Sequence, residues 1–178
     1  MTGHDEPSGD AADRTFATMF APVSAVRIET VGIIALCLAA AMGRLSDYEL
    51  VAQSGPVFAP ITEGTAALEK GEIAQALVYL VKIRCRAAAC ERIGLESAAR
   101  FERWAEVARH AIETPVEAQA MTVAAYAAYR SGQTGLAHSA LERALELNPD
   151  LVDARAYLDA IERAVPAEEV QPVGAERF

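Results

Sequence analysis

From about Ser24 onward, apolar residues recur every three to four positions, and no segment alternates with the two-residue period of a half-buried strand. The pattern predicts an all-α protein. Its punctuation divides the chain into segments. A helix is predicted over 24–42, closed by Gly43. Ser46, with Glu49 three residues later, is a capping-box signal for a short helix through Gln53, and Gly55-Pro56 reads as a break. Helical pattern resumes to Lys70, stops at Gly71 and restarts at Glu72 through about Arg92, with Gly94 as terminator. A further helix is predicted over 97–113. Thr114 then serves as N-cap, with Pro115 at the first helical position and Glu117 completing a second capping box, for a helix reaching Arg130. Ser131-Gly132 turns the chain into a helix over 134–147. Asn148-Pro149 opens a last helix, 150–164, which ends before Pro166. Residues 1–22 and 166–178 are polar and broken by Gly and Pro, and predict disordered ends around one helical domain, 23–165.

Two stretches have the look of paired helices. The segment 118–151 closely resembles a tetratricopeptide repeat. Ala125, Ala137 and Ala144 stand where its helices must approach closely, Leu141 supplies bulk, Gly132 makes the turn and Pro149 closes the unit. The segment 57–90 fits the same template less well: Gly64, Ala67, Gly71, Ala76, Leu80 and Ile83 match, but no proline closes it. Gly71 lies 61 residues before Gly132, not a multiple of the repeat's period of about 34. The array is therefore irregular, with a helix between the hairpins and a capping helix after Pro149.

Composition narrows the function. Apolar residues make up 52% and charged residues 23%, as in ordinary globular proteins, while aromatics are only 6%. Alanine-rich helices with few rings must pack by close approach. A formal charge of −9 opposes direct nucleic-acid binding, which needs a positive field. One local basic stripe interrupts this acidity: Lys82, Arg84, Arg86, Arg92, Arg100, Arg103 and Arg109, against Glu91, Glu96, Glu102 and Glu106. Such a stripe is either a partner surface or a solvated helix face laced with pairs such as Glu96–Arg100. The uncharged run from Thr30 to Gly43 is 14 residues long, short of the roughly 20 a membrane span needs. Acidic residues precede it, unlike a signal peptide. It reads as a core helix, with no membrane role. The cysteines, Cys37, Cys85 and Cys90, are odd in number without paired spacing, which suggests a reducing, cytoplasmic setting.

No constellation for catalysis or a cofactor emerges. His138 needs a converging polar partner that the sequence does not supply, and reads as a solvated helix residue. His110 shares a helix face with Glu106 and Glu113, but one cluster on one helix cannot complete a metal's coordination sphere. Trp104 in an amphipathic helix reads as core. The expectations are thus no catalytic residue, no metal and no cofactor.

The half of the chain from Ile83 onward also resembles the helical C-terminal part of a large uncharacterised family of high-GC Gram-positive bacteria, a domain of unknown function. Arg86, Trp104, Gly132, Gly135, Ala137, Ala140, Leu141, Arg143, Ala144, Leu145 and Pro149 stand at its characteristic places. Ala87 stands where that family pairs an Asp with the Arg, and no counterpart of its N-terminal α/β portion is found in residues 1–60. The resemblance implies a scaffold without chemistry.

A surface remains. In tetratricopeptide-like hairpins the first helix lines a concave groove, here through Gln119, Thr122, Tyr126, Tyr129 and Arg130, with Phe58, Ile61, Thr65, Leu68 and Glu69 as counterparts in the weaker hairpin. Tyr and Arg suit interface hot spots, although either tyrosine could instead pack on a neighbouring helix. The leading expectation is a non-catalytic cytoplasmic module that binds another protein or a copy of itself. A helical remnant or regulatory subunit of an enzyme, with its α/β part elsewhere, is the first alternative, and requires a large apolar patch near residues 25–60. An acidic inhibitor of a nucleic-acid-binding partner is the second, and requires a continuous acidic face.

Overall fold

Local signals and long-range packing act in turn along this chain, whose computed structural model describes residues 9–21, 23, 25–43, 45–94 and 98–175. Among them nine helices follow one another with no strand: α1 (Gly9–Met19), α2 (Ala25–Met42), α3 (Asp47–Glu63), α4 (Lys70–Leu80), α5 (Ile83–Arg92), α6 (Ala98–Ala111), α7 (Glu117–Arg130), α8 (Thr134–Leu147) and α9 (Val152–Glu162). The all-α class is as the periodicity predicts.

Several elements depart from the sequence reading. Residues 9–19, expected to be disordered, form α1, because Phe16, Met19 and Phe20 give it an apolar edge that lies against α8. Of the rest of that expectation over 1–22, Phe20 is buried, and residues 1–8 and 22 lie outside the described residues. Ser46 and Glu49 form the predicted reciprocal cap, yet α3 continues through Pro56 and Pro60 to Glu63. Each internal proline removes one helical hydrogen bond. Burial of Leu50, Phe58 and Ile61 along one face keeps the helix going nonetheless. Its C-terminal end is held by Arg103, which donates to the carbonyls of Pro60 (2.7 Å) and Ile61 (2.7 Å) in the last turn and of Ala66 (2.6 Å) in the loop beyond it.

The helix predicted over 72–92 is instead two helices, and Gly71 sits in the first turn of α4 rather than between paired helices. The break falls at Val81-Lys82. Arg86 Nη1 donates to the carbonyls of Leu80 (2.8 Å) and Val81 (3.1 Å), while its Nε and Nη2 bind the carboxylate of Asp153 in α9 at 2.5 and 3.0 Å. Both partners are buried. A charge taken from water is tolerated when it is paired and hydrogen-bonded, and this guanidinium, bonded through all three of its nitrogens, ties α4, α5 and α9 at one point. Asp153, 67 residues away, is thus the carboxylate for an Arg whose neighbour is Ala87.

The core runs through the whole stack. Trp104 of α6 is fully buried with Phe58 (ring centroids 5.7 Å apart), and Phe58 meets Tyr79 edge-on at 6.2 Å. α7 is the central helix: Ala118 and every residue from Ala120 to Tyr129 are buried, which explains alanine on all its faces. Ala137, Ala140 and Ala144 of α8 are likewise fully buried, and the α7–α8 pair is the predicted hairpin of 118–151. α7 ends on Gly132 at φ +81°, where Gly132 N–H bonds the Tyr129 carbonyl and Gln133 N–H the Ala128 carbonyl, a left-handed helix cap. At its other end the predicted capping box is shifted. Thr114 Oγ1 donates to the Ala111 carbonyl, and the Glu117 carboxylate accepts from the Glu113 N–H at 2.7 Å.

Candidate functional site

α9 closes with the same left-handed cap as α7, but on alanine. Ala164 lies at φ +53°, its N–H bonding the Ile161 carbonyl and the Val165 N–H the Ala160 carbonyl, both at 2.9 Å. Pro166 then forbids further helix. The cap reverses the chain, and residues 165–175, expected as a disordered tail from 166 on, lie as a non-helical strap across α7, α9 and α5. The last residues of that expectation, 176–178, lie outside the described residues.

Side chains of α7 hold the strap by its backbone. The Tyr129 hydroxyl donates to the Val165 carbonyl, Arg130 Nη1 to the Ala167 carbonyl at 2.6 Å, and the Tyr126 hydroxyl to the Val170 carbonyl at 3.2 Å. Farther on, the Val173 N–H donates to the Tyr157 hydroxyl of α9 at 3.0 Å. Val170 is the buried apolar anchor. Gly174, at φ +92°, fits so closely on Ile83 that a Cβ there would stand 3.3 Å from the Ile83 side chain. The Arg130 guanidinium lies 5.7 Å above the Tyr126 ring, and the Tyr126 and Tyr157 rings meet at 5.0 Å.

Three of the five residues named from the sequence therefore converge on one segment, and that segment is the chain's own. Tyr126 and Tyr129 are buried beneath it rather than open to a partner. Thr122 is fully buried and donates back to the Ala118 carbonyl at 2.8 Å, so it faces the interior. Gln119 is half-buried, its Oε1 without a hydrogen-bond partner. Sequence reasoning missed Tyr157 and the strap itself. The only local sign of Tyr157 was an aromatic on the apolar face of α9. In the weaker hairpin Phe58, Ile61 and Leu68 are core, with only Thr65 and Glu69 exposed.

Burial keeps the hydroxyls and the thiol of this site uncharged. Burial pushes the Tyr126 hydroxyl up to about 12, with the nearby Cys90 adding to the effect. Burial also raises Tyr157 and Cys90, which share a hydrogen bond, so both remain protonated. Such hydroxyls are donors for carbonyls, not nucleophiles.

The remaining candidates are structural in placement. His110 is fully buried, its Nδ1 2.8 Å from the Glu106 carbonyl oxygen, and burial lowers its pKa. Glu106 turns instead to Arg27 at 3.3 Å. Among the described residues no group of three or more His, Cys, Asp or Glu is placed to hold a metal. His138 pairs at the surface with Glu142 at 3.2 Å. The basic stripe is spent largely on clamps between helices: Lys82–Asp47 at 3.4 Å, Arg92–Glu63 at 2.9 Å, and the Arg86 and Arg103 contacts described above. Glu96, of the expected Glu96–Arg100 pair, lies outside the described residues. No helix among the described residues is long and apolar enough to cross a membrane.

Fold and site together define an all-helical protein in which side chains of α7 hold the chain's own residues 165–170 by their backbone carbonyls. The chain belongs to the family described as Domain of unknown function (DUF4192), whose model matches residues 14–168. That match extends well N-terminal of the half from which the resemblance was drawn. No curated protein and no solved structure matches the chain.

Proposed function

We propose that this chain is a non-catalytic interaction module of the cytoplasm, whose helical-repeat groove holds a non-helical segment of another protein or of a second copy. One observation carries the reading. Tyr126, Tyr129 and Arg130 each donate to a backbone carbonyl of the strap, so the groove's grip is largely independent of side-chain identity. The strap stands in for the partner in cis. A partner must displace it, which makes binding weaker than the groove's intrinsic affinity by the fraction of time the groove is open. No cofactor is needed, and the acidic charge favours a protein over nucleic acid.

A labelled peptide of residues 165–175 tests this. The full chain should reject it, whereas Val170→Asp, which expels the strap's anchor, should bind it. Arg130→Ala in that background should weaken binding. Failure of Val170→Asp to bind the peptide, with its helical circular dichroism intact, would end the proposal. The first alternative, a helical part of an enzyme completed elsewhere, is favoured by a separate observation, the exposed apolar face of α2 around Ile33 and Leu36.

A further inference from the structure

The strap is gripped along its length but joined to α9 by very little. α9 ends at Glu162 and the first gripped atom is the Val165 carbonyl, so Arg163 and Ala164 alone form the joint. Both are exposed. Ala164 stands at φ +53°, where its Cβ crowds the backbone. α7 makes the same turn on Gly132, which has no Cβ to crowd. Closing the strap onto its own chain therefore strains a short hinge, and short strained hinges favour exchange between copies. Opening the joint loses nothing at α9. With Ala164 helical, its N–H takes the Ala160 carbonyl and the Val165 N–H takes that of Ile161, the reverse of their partners in the closed turn. Pro166 then drives Val165 out of helical conformation into an extended one. The strap runs on past the end of α9, away from the groove of its own chain.

What the groove holds has a defined shape. Two turns, each opened by a proline, form it: the Glu169 N–H bonds the Pro166 carbonyl at 2.9 Å, and the Ala175 N–H bonds the Pro172 carbonyl at 3.3 Å. Between them Val170 is buried, and Gly174, at φ +92°, lies against Ile83. The same residues of a second copy meet every one of these demands. We infer that two copies of this chain exchange residues 165–175, each strap lying in the other's groove under the same donors from Tyr126, Tyr129 and Arg130. The exchange rests on the reading of the groove as a holder of non-helical backbone, and names the segment held. Every strap bond is conserved, so relief at two hinges is set against the concentration needed to bring two chains together. Each left-handed alanine weighs against closure by about 5- to 30-fold.

Mixtures of two variants of the full chain test this by sedimentation equilibrium. Val170→Asp spoils the strap and leaves the groove, whereas Tyr129→Phe with Arg130→Ala spoils the groove and leaves the strap. Each alone should sediment as a monomer. Mixed, they should form a heterodimer weaker than the parent dimer, because one sound strap then finds one sound groove. The parent should show a dimer that grows with concentration and interconverts slowly, since every strap bond must break first. Ala164→Gly, which relaxes the closed turn, should weaken that dimer by about 25-fold or more, from two hinges at about fivefold each. Ala164→Val, whose branched side chain tolerates the left-handed turn still less, should strengthen it with helical circular dichroism unchanged. A parent that is monomeric at every concentration overturns the inference, as does a mixture that stays monomeric. So does a parent dimer indifferent to both substitutions at Ala164. If the exchange fails while Val170→Asp still binds the labelled peptide of residues 165–175, the reading of the groove stands and its segment in trans belongs to another protein. If the peptide also fails to bind, that reading falls with the exchange.

Discussion

Asp153→Asn removes one charge from the buried contact that joins α9 to the α4–α5 junction. Arg86 then keeps its bonds to the carbonyls of Leu80 and Val81 but loses its counter-charge, at a place where both original partners are nearly inaccessible to water. Leaving one member of such a pair unpaired costs about 3–5 kcal/mol. For a chain of this size that corresponds to a fall of roughly 6–20 °C in melting temperature. The companion is Arg86→Met with Asp153→Leu, which replaces both charges by apolar bulk. It should recover most of the loss, because a buried pair is often no better than well-packed hydrocarbon. The recovery should be incomplete by about 1–3 kcal/mol, since the Leu80 and Val81 carbonyls lose their donor. Thermal and urea melts followed at 222 nm give all three values. A melting temperature for Asp153→Asn within 2 °C of the parent, or a double variant no more stable than Asp153→Asn, would refute the reasoning.

Three further outcomes follow from the packing. Ala137→Leu should cost about 1–3 kcal/mol by overpacking the α7–α8 seam, while His138→Ala, at the surface, should change stability little; equal melts would refute the assigned register. The two left-handed caps should respond in opposite directions. Gly132→Ala, with open space around the new methyl, should destabilise by about 1–2 kcal/mol, and Ala164→Gly should stabilise by a similar or smaller amount. Burial holds His110 below its ordinary pKa of 6.5, so the unfolded chain takes up this proton first as pH falls. Stability from this group is therefore complete above 6.5 and is lost below it, at no more than about 1.4 kcal/mol per pH unit; His110→Gln should flatten that part of the pH profile.

The sequence alone was sufficient for several features whose cause and effect lie within a turn of helix. Ser46 and Glu49 cap α3 through reciprocal bonds three residues apart, Gly132 supplies the left-handed turn, and the α8 boundaries follow from the apolar period. Small residues at Ala125, Ala137 and Ala144 announced a close-packed hairpin because steric fit is carried by residue size. What only the tertiary structure decided depends on partners remote along the chain. Pro56 reads locally as a break, yet burial of Phe58 and Ile61 sustains the helix. Arg86 reads as one of a basic stripe until Asp153, 67 residues on, meets it and splits a predicted helix in two. Tyr126 and Tyr129 carry the residue types of a binding groove, but whether such a groove stands open depends on the path of the chain after α9. The composition of residues 166–178 suggests disorder because few of its side chains are apolar. Order over residues 166–175 comes from hydrogen bonds to carbonyls, which every residue possesses and which leave no mark on amino-acid identity.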